Sequence, residues 1–576
     1  MTITPLPTSP NLENLKKRAK TLLKSVRAGD RAALDRVGPY FGDPAQISLQ
    51  HAQLVIARGH GFSSWVRLKA HVRGHADHSA DPDVNRFLDL VCLVYGSEPD
   101  FGPKRFAKAA TLLEQVPAIA EASIYTAAAM GDADRVLDWL DRDASLLNAP
   151  GGMFHWPPLM YAAYARLPGR SSWPAGAALL QRGADPNAHY MWGGQYKFTA
   201  LTGVFGQGEG GVVNQPEHPD MIPFARTLLE QGANANDSQA CYNRCFTPDN
   251  TCLELLLEFG LSVDDKNNWL LHDNDQLIPH PSETLYFQLM QAIHRGYPTR
   301  AALMIEHGVD IHKPDDTYAT RTKGKTPYQA ACLMGQDEIA QMLAQAGAAT
   351  DLASDVEAFE VACMAGNFDR AQAFLDKDQR LKEQVDARMM LCDAVKLRNV
   401  AALEVMIQLG FEMNHGHERT PLHEAALTGD VTIVDRLLEA GADATLREAQ
   451  YLQPALGWAL HTQQSEVVAR LDAAPMDIFT AAARGNLEQL QAHLTADPTQ
   501  LERRFETLRP GDTPSGNDWL TPLAYATGAG QVTAMQFLLG RGANVNVTDE
   551  DGQSLIDLAS AHSNPEVLTL VRQYMK

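Results

Sequence analysis

A short pattern of residues returns along this chain about every 33–34 positions, and that period limits the fold more than any composition figure does. Its clearest copy is Thr420-Pro421-Leu422-His423-Glu424-Ala425-Ala426-Leu427-Thr428-Gly429, continued by Ile433-Val434, Leu437-Leu438 and Gly441-Ala442-Asp443. Thr420 can cap a helix, and Pro421 suits its first turn, where a missing N–H costs nothing. Ala425 and Ala426 are small enough for a neighbouring helix to approach closely. Gly429 offers the left-handed turn that ends the helix early. Ile433, Val434, Leu437 and Leu438 then recur at helical spacing as the apolar stripe of a second helix, which Gly441 ends. One such pair cannot bury its own stripe, so copies must stack.

The same order returns at Thr521-Pro522-Leu523 with Gly530, Phe537-Leu538-Leu539 and Gly542-Ala543-Asn544, 101 residues or three periods on. Thr326-Pro327-Tyr328, Ala331, Gly335, Met342-Leu343 and Gly347-Ala348 form another copy. These motifs resemble the ankyrin repeat, which implies an all-α solenoid of helix–turn–helix units joined by hairpin-like loops. Degenerate copies start at Pro158-Leu159-Met160-Tyr161 and centre on Leu228, Leu255, Gly296, Gly366, Leu403 and Val467. Ile124–Gly131 (IYTAAAMG) and Ile478–Gly485 (IFTAAARG) are near twins, each followed by Asp-x-x-x-Leu. The resemblance covers 122–576 with eleven or twelve units. Two steps are too long: 49 residues from Gly183 to Gly232, with the surplus in the Gly-rich stretch 203–220, and 48 from Gly260 to Gly308, with the surplus around 266–282. Insertions in solenoids gather on one edge, which makes this edge the expected binding edge.

Residues 1–78 do not follow the repeat. Leu12, Leu15, Ala19, Leu22, Leu23 and Val26 predict an amphipathic helix over 11–27 with Lys16, Lys17, Lys20 and Lys24 on its wet face. Helices are also expected over 32–40, 49–58 and 63–72. This head resembles the one that precedes ankyrin arrays in a group of bacterial proteins, which implies a bacterial cytoplasm. Residues 79–121 read as a helical bridge, 122–297 as irregular repeats with insertions, and 298–576 as more regular repeats with a C-terminal cap.

Charge follows this division. Residues 1–80 hold 12 Lys and Arg against 5 Asp and Glu, a net +7, leaving −28 on the rest. Such a body repels phosphate backbones, so nucleic acid is not the expected partner. The basic face of the first helix carries no interleaved aromatics to stack on bases and reads as solvated. With no run of about 18 apolar residues and no secretory h-region, the chain is expected to be soluble, cytoplasmic and free of membrane. Seven sparse cysteines suit reduced thiols rather than a disulfide framework.

Large rings concentrate where the repeat is irregular: 154–297, a quarter of the chain, holds 4 of 8 Trp and 7 of 15 Tyr. Trp156, Tyr190, Trp192, Tyr196, Tyr242, Asn243, Arg244, Trp269 and His272 fall at or near loops between units, where a solenoid presents side chains. Aromatic and Arg side chains anchor interfaces, so these nine are the candidate partner-binding residues. The competing reading is that irregular units need large residues to fill mismatched gaps. Cys241, Cys245 and Cys252 with His218 and His272 lack the tight pairs of a zinc site, and Cys252 opens an apolar run. Cys245 with His272 and Glu209 with His218 can be written as reacting pairs, but nothing in the sequence fixes their geometry. Gly206–Gly211 (GQGEGG) carries an acid where a phosphate would lie and reads as a flexible loop. His423 reads as a helix-start histidine bonding locally.

The expected function is a non-enzymatic scaffold, monomeric alone, with no cofactor or metal. It would bind another protein through its loop edge and concave face. The alternative is a small-molecule or peptide-terminus pocket, open to chemistry, built by the enlarged loops around 186–285.

Overall fold

The computed structural model describes residues 12–27, 30–37, 49–59, 65, 68, 81–95, 102–192, 196–273, 276–315, 321–414, 418–449, 451–508, 519–548, 554–562 and 564–575. At 12–15, 27, 32, 35, 36, 50, 59, 271–273, 276, 277, 506, 508 and 561 only the backbone is described. The chain forms two compact units, Met1–Asp185 and Pro186–Lys576. The fourfold division made from sequence sorts the chain by kind of repeat rather than by compactness.

The unit 420–443 shows why these residues make paired helices. Thr420 N–H donates to His423 Nδ1 at 3.2 Å, and His423 Nε2 reaches the carbonyl of Gln453, 3.1 Å away in the next unit. One imidazole therefore closes its own helix start and ties down its neighbour. Burial lowers the pKa of His423 and keeps the ring neutral, as both bonds require. The helix Pro421–Thr428 ends on Gly429, and Val431–Glu439 follows at once. Ala425, Ala426, Ile433, Val434 and Leu437 are wholly buried in a core that runs from Phe359 to Val571.

The Asp of the twin segments has a structural task. Asp143 and Asp497 stop their helices at φ −149° and accept N–H bonds from Ser145 and Thr499 at 3.0 and 2.9 Å. Asp378 makes a third instance, accepting from Arg380 N at 3.0 Å. Asp143 and Asp497 thereby cap the short helix that follows, a polar turn in place of the hairpin loop.

In the first unit, helices Leu12–Arg27, Arg31–Val37 and Leu49–Gly59 share a small core of their own, built on Ala19, Val26, Val37, Val55 and Ile56. Of the helix expected over 63–72, all but residues 65 and 68 lie outside the described residues. The helices Pro82–Val91 and Pro103–Gln115 pair ahead of the repeats, and Leu93 N and Arg166 N bond Tyr164 and Val91 carbonyls at 2.8 Å. Two repeat pairs follow in this unit, and eleven pairs occupy the second unit among the described residues. The additional pair over the sequence reading is the terminal one, Leu555–Ala561 with Pro565–Tyr574.

Two antiparallel hairpins interrupt the helices. Strand β1 (His189–Trp192) pairs with β2 (Tyr196–Thr199), and β3 (Leu270–Asp273) pairs with β4 (Gln276–Pro279). The expectation that both insertions share one edge does not hold. Residues 206–220 separate the two helices of one pair, Ala200–Phe205 and Met221–Glu230, whereas β3–β4 joins successive pairs. The β1–β2 hairpin is also of the second kind.

Candidate functional site

Alternation along a strand places Tyr190 and Trp192 on one face of β1. Tyr190 stacks on Phe198 at 5.3 Å, and Trp192 lies 5.8 Å from Tyr196 across the hairpin. The Tyr196 ring meets Trp269 of the other hairpin edge-on at 5.4 Å. Trp269 meets Tyr242 at 5.0 Å, and Tyr242 meets Phe246 edge-on at 5.2 Å. The Arg295 guanidinium closes the file 4.3 Å over Phe246. Five rings and a cation thus run across two hairpins and the helix Ser238–Arg244. Edge-to-face pairs at these separations hold rings in fixed orientations.

Local polar bonds set this register. Asp237 caps the helix Ser238–Arg244 through Ala240 N at 3.0 Å and accepts the hydroxyls of Thr199 and Thr202, binding hairpin to helix. Asn267 Oδ1 accepts from Trp269 N, and the Trp269 carbonyl accepts from His280 N, both at 3.0 Å. Glu283 accepts from Lys266 and, at 2.8 Å, from Lys313, closing the base of the β3–β4 hairpin. Burial alone would raise the Glu283 pKa, but the two ammonium groups prevail and hold it down at about 2.

The nine expected contact residues part company by burial. Trp192 is 42% exposed, and Tyr190, Tyr196 and Tyr242 are half-buried. Trp269 is only 3% exposed: it is the hub about which Tyr196, Tyr242, Phe287 and His280 gather, so it supports the row rather than presenting a surface. Asn243 and Arg244 are buried as well. Asn243 accepts from Gln239 at 2.9 Å, and Arg244 binds Glu217 at 2.7 Å and Asp249. Trp156 belongs to the first unit, 7% exposed between Phe154 at 4.5 Å and Tyr164 at 5.0 Å. These four are buried and do not present a surface. The His272 backbone lies in β3, and its side chain is outside the described residues. Phe246, Phe287 and Arg295 were not anticipated. Tyr242 four residues ahead of Phe246 was the one local signal; the partners of Phe287 and Arg295 lie far away in sequence.

The insertion 206–220 is tied down, contrary to the flexible loop expected of GQGEGG. Tyr242 Oη donates to Glu209 at 2.5 Å, Thr247 Oγ1 donates to Gln207 at 3.2 Å, and Glu217 holds Arg244. Burial and the Glu209 carboxylate together push the Tyr242 hydroxyl pKa well up, so it remains a donor. Glu209 and His218 are engaged apart: His218 Nδ1 accepts from Asp220 N at 3.0 Å. The three cysteines 241, 245 and 252 are buried thiols whose pKa values burial raises, Cys252 to about 12. Around this framework stand exposed apolar side chains: Met191 beside Trp192 on the first hairpin, Val212 and Val213 on the insertion, and Ile278 on β4.

A family model described as three copies of the ankyrin repeat matches residues 359–448, and a single-repeat model matches 518–550. The chain carries ankyrin repeats. Helix pairs of the same kind flank these segments. Ankyrin repeat protein nuc-2 of Neurospora crassa is 26% identical over 236 residues, 37% of this chain and 21% of that protein. The putative palmitoyltransferase ZDHHC13 of Danio rerio is 28% identical over 171 residues, 29% of this chain and 25% of that protein. The chain thus spans about a fifth to a quarter of the length of these curated relatives. A solved complex, the Bd0816 predatory endopeptidase from Bdellovibrio bacteriovorus with immunity protein Bd3460, shares 20% identity over 32% of this chain and 96% of that one, at a TM-score of 0.23.

Proposed function

We propose that the chain is a non-enzymatic ankyrin scaffold that binds a protein partner through the aromatic row of its second unit. The surface consists of Trp192, Tyr196, Tyr242 and Phe246 with Arg295. The observation that carries this reading is the continuous file of rings, graded from the exposed Trp192 to the buried Trp269. Rigid rings already held in place lose little entropy on binding and suit interface anchors. General protein binding is what ankyrin repeats support; the position of the surface is our reading. A reducing, intracellular setting accords with all seven cysteines being free thiols. Among the described residues no helix is long and apolar enough to cross a membrane.

A photo-crosslinking residue at position 192 tests the reading in the native cell, with another at the exposed Tyr451 as comparison. Partner adducts from 192 and not from 451 are expected. Adducts from 451 alone would move the surface elsewhere.

A further inference from the structure

The aromatic row ends on a cation that the chain itself leaves without a counterion. Arg295 closes the helix Thr284–Arg295 and is half-buried. Its guanidinium stands 4.3 Å over the Phe246 ring, and its Nε donates to Gln291 Oε1 at 3.1 Å. Gln291 Oε1 also accepts from the Cys245 thiol at 3.8 Å, and that thiol is the guanidinium's other polar neighbour. Burial raises the Cys245 pKa and keeps the thiol neutral. Both polar neighbours of Arg295 are therefore uncharged, and among the described residues it makes no ion pair. Arg244 differs, being paired with Glu217 and Asp249. Glu209, the carboxylate that borders the row, accepts from the Tyr242 hydroxyl and makes no ion pair with Arg295.

In the free chain water solvates the open side of this guanidinium, and no anion is needed there. A partner laid along the row displaces that water. Stripping a guanidinium of water without returning an acceptor costs more than a ring contact contributes, so whatever covers Phe246 must answer the charge. On the reading of the row as the binding surface, on which this inference rests, we propose that the partner segment carries an Asp or Glu side chain opposite Arg295 and a large apolar residue at the Trp192 end. A carboxylate matches the paired N–H groups of the fork and cancels its charge, which a neutral carbonyl does not. The array also limits how acidic the segment can be. Residues 81–576 carry a net −28, which repels an acidic tract, so the composition that fits is one acid in an otherwise neutral or basic stretch.

The test pans a random peptide library against the full chain. Enriched peptides should carry Asp or Glu at a fixed distance from a Trp, Phe or Leu, and should lose binding to Trp192→Ala. Replacing that acid by its amide should weaken a selected peptide about tenfold on the natural chain. Panning against Arg295→Glu should select Lys or Arg at the same place. Peptides that need Trp192 but share no fixed acid, or that bind equally well as the amide, overturn the proposal and leave the row as the binding surface. Peptides indifferent to Trp192→Ala, or no enrichment at all, overturn the row as the binding surface and this inference with it. The amide comparison uses the unsubstituted chain, so an Arg295→Glu variant that fails to fold leaves the proposal decidable.

Discussion

Gly441 and Gly131 share the left-handed conformation, at φ +88° and +78°, in unequal surroundings. A Cβ at Gly441 meets nothing within 4 Å, so Gly441→Ala should cost only the backbone strain, about 1 kcal/mol. At Gly131 a Cβ would sit 1.9 Å from the Ser171 carbonyl oxygen, so Gly131→Ala must also push a neighbouring backbone aside. Urea denaturation should rank Gly131→Ala as clearly the more damaging; the reverse order would contradict the packing described. At Glu283 the sign follows from its depressed pKa. The stabilisation by Lys266 and Lys313 is complete above the unfolded carboxyl value near 4.5 and is lost as pH falls through about 2. Melting Glu283→Gln beside the natural chain should therefore show a deficit at pH 7 that narrows steadily below pH 4.5, while a constant deficit would mean the pairing contributes nothing. The helix-start bond of His423 to Thr420 was readable in advance because it is local to a recurring motif, whereas its bond to Gln453 in the next unit was not. The burial of Trp269 and Arg300 was not readable either, because it depends on helices and a hairpin brought together from distant parts of the chain.

Spacing between glycines showed that something was added in 183–232 and 260–308, but counting residues does not reveal which joint takes the surplus. The β1–β2 turn accounts for part of the first excess, and the remainder opened the joint inside a pair. The insertion 206–220 is held by side chains it meets only in the folded state, which is why a Gly-rich composition misled. Tyr242→Phe removes the bond to Glu209 and leaves the ring contacts in place. Its effect on global stability should stay within about 1 kcal/mol, while limited proteolysis within 207–214 should quicken several-fold. Unchanged cleavage would show that Glu209 is not what restrains the insertion.

Within each unit the helix pairs lean on their neighbours, so the stacking predicts that stability divides along the chain. A fragment ending after Gly347, with polar replacements on the newly exposed face, should keep its helical circular dichroism and melt cooperatively. Loss of structure throughout would point to one indivisible core. Period and apolar stripe made this architecture legible from sequence, because every copy repeats the same local chemistry. The aromatic row was legible only as a region rich in large rings, since the order of the rings depends on two hairpins and a helix meeting. Its decisive measurement is the dissociation constant of the crosslinked partner for the natural chain, for Trp192→Ala, Tyr196→Ala and Tyr242→Ala, and for Tyr451→Ala, each checked for unchanged helicity. A loss of about 2 kcal/mol, roughly thirtyfold, at one or more of the three row positions with Tyr451→Ala unaffected is the result predicted. Normal binding by all three row variants, with binding abolished at Tyr451, would contradict it.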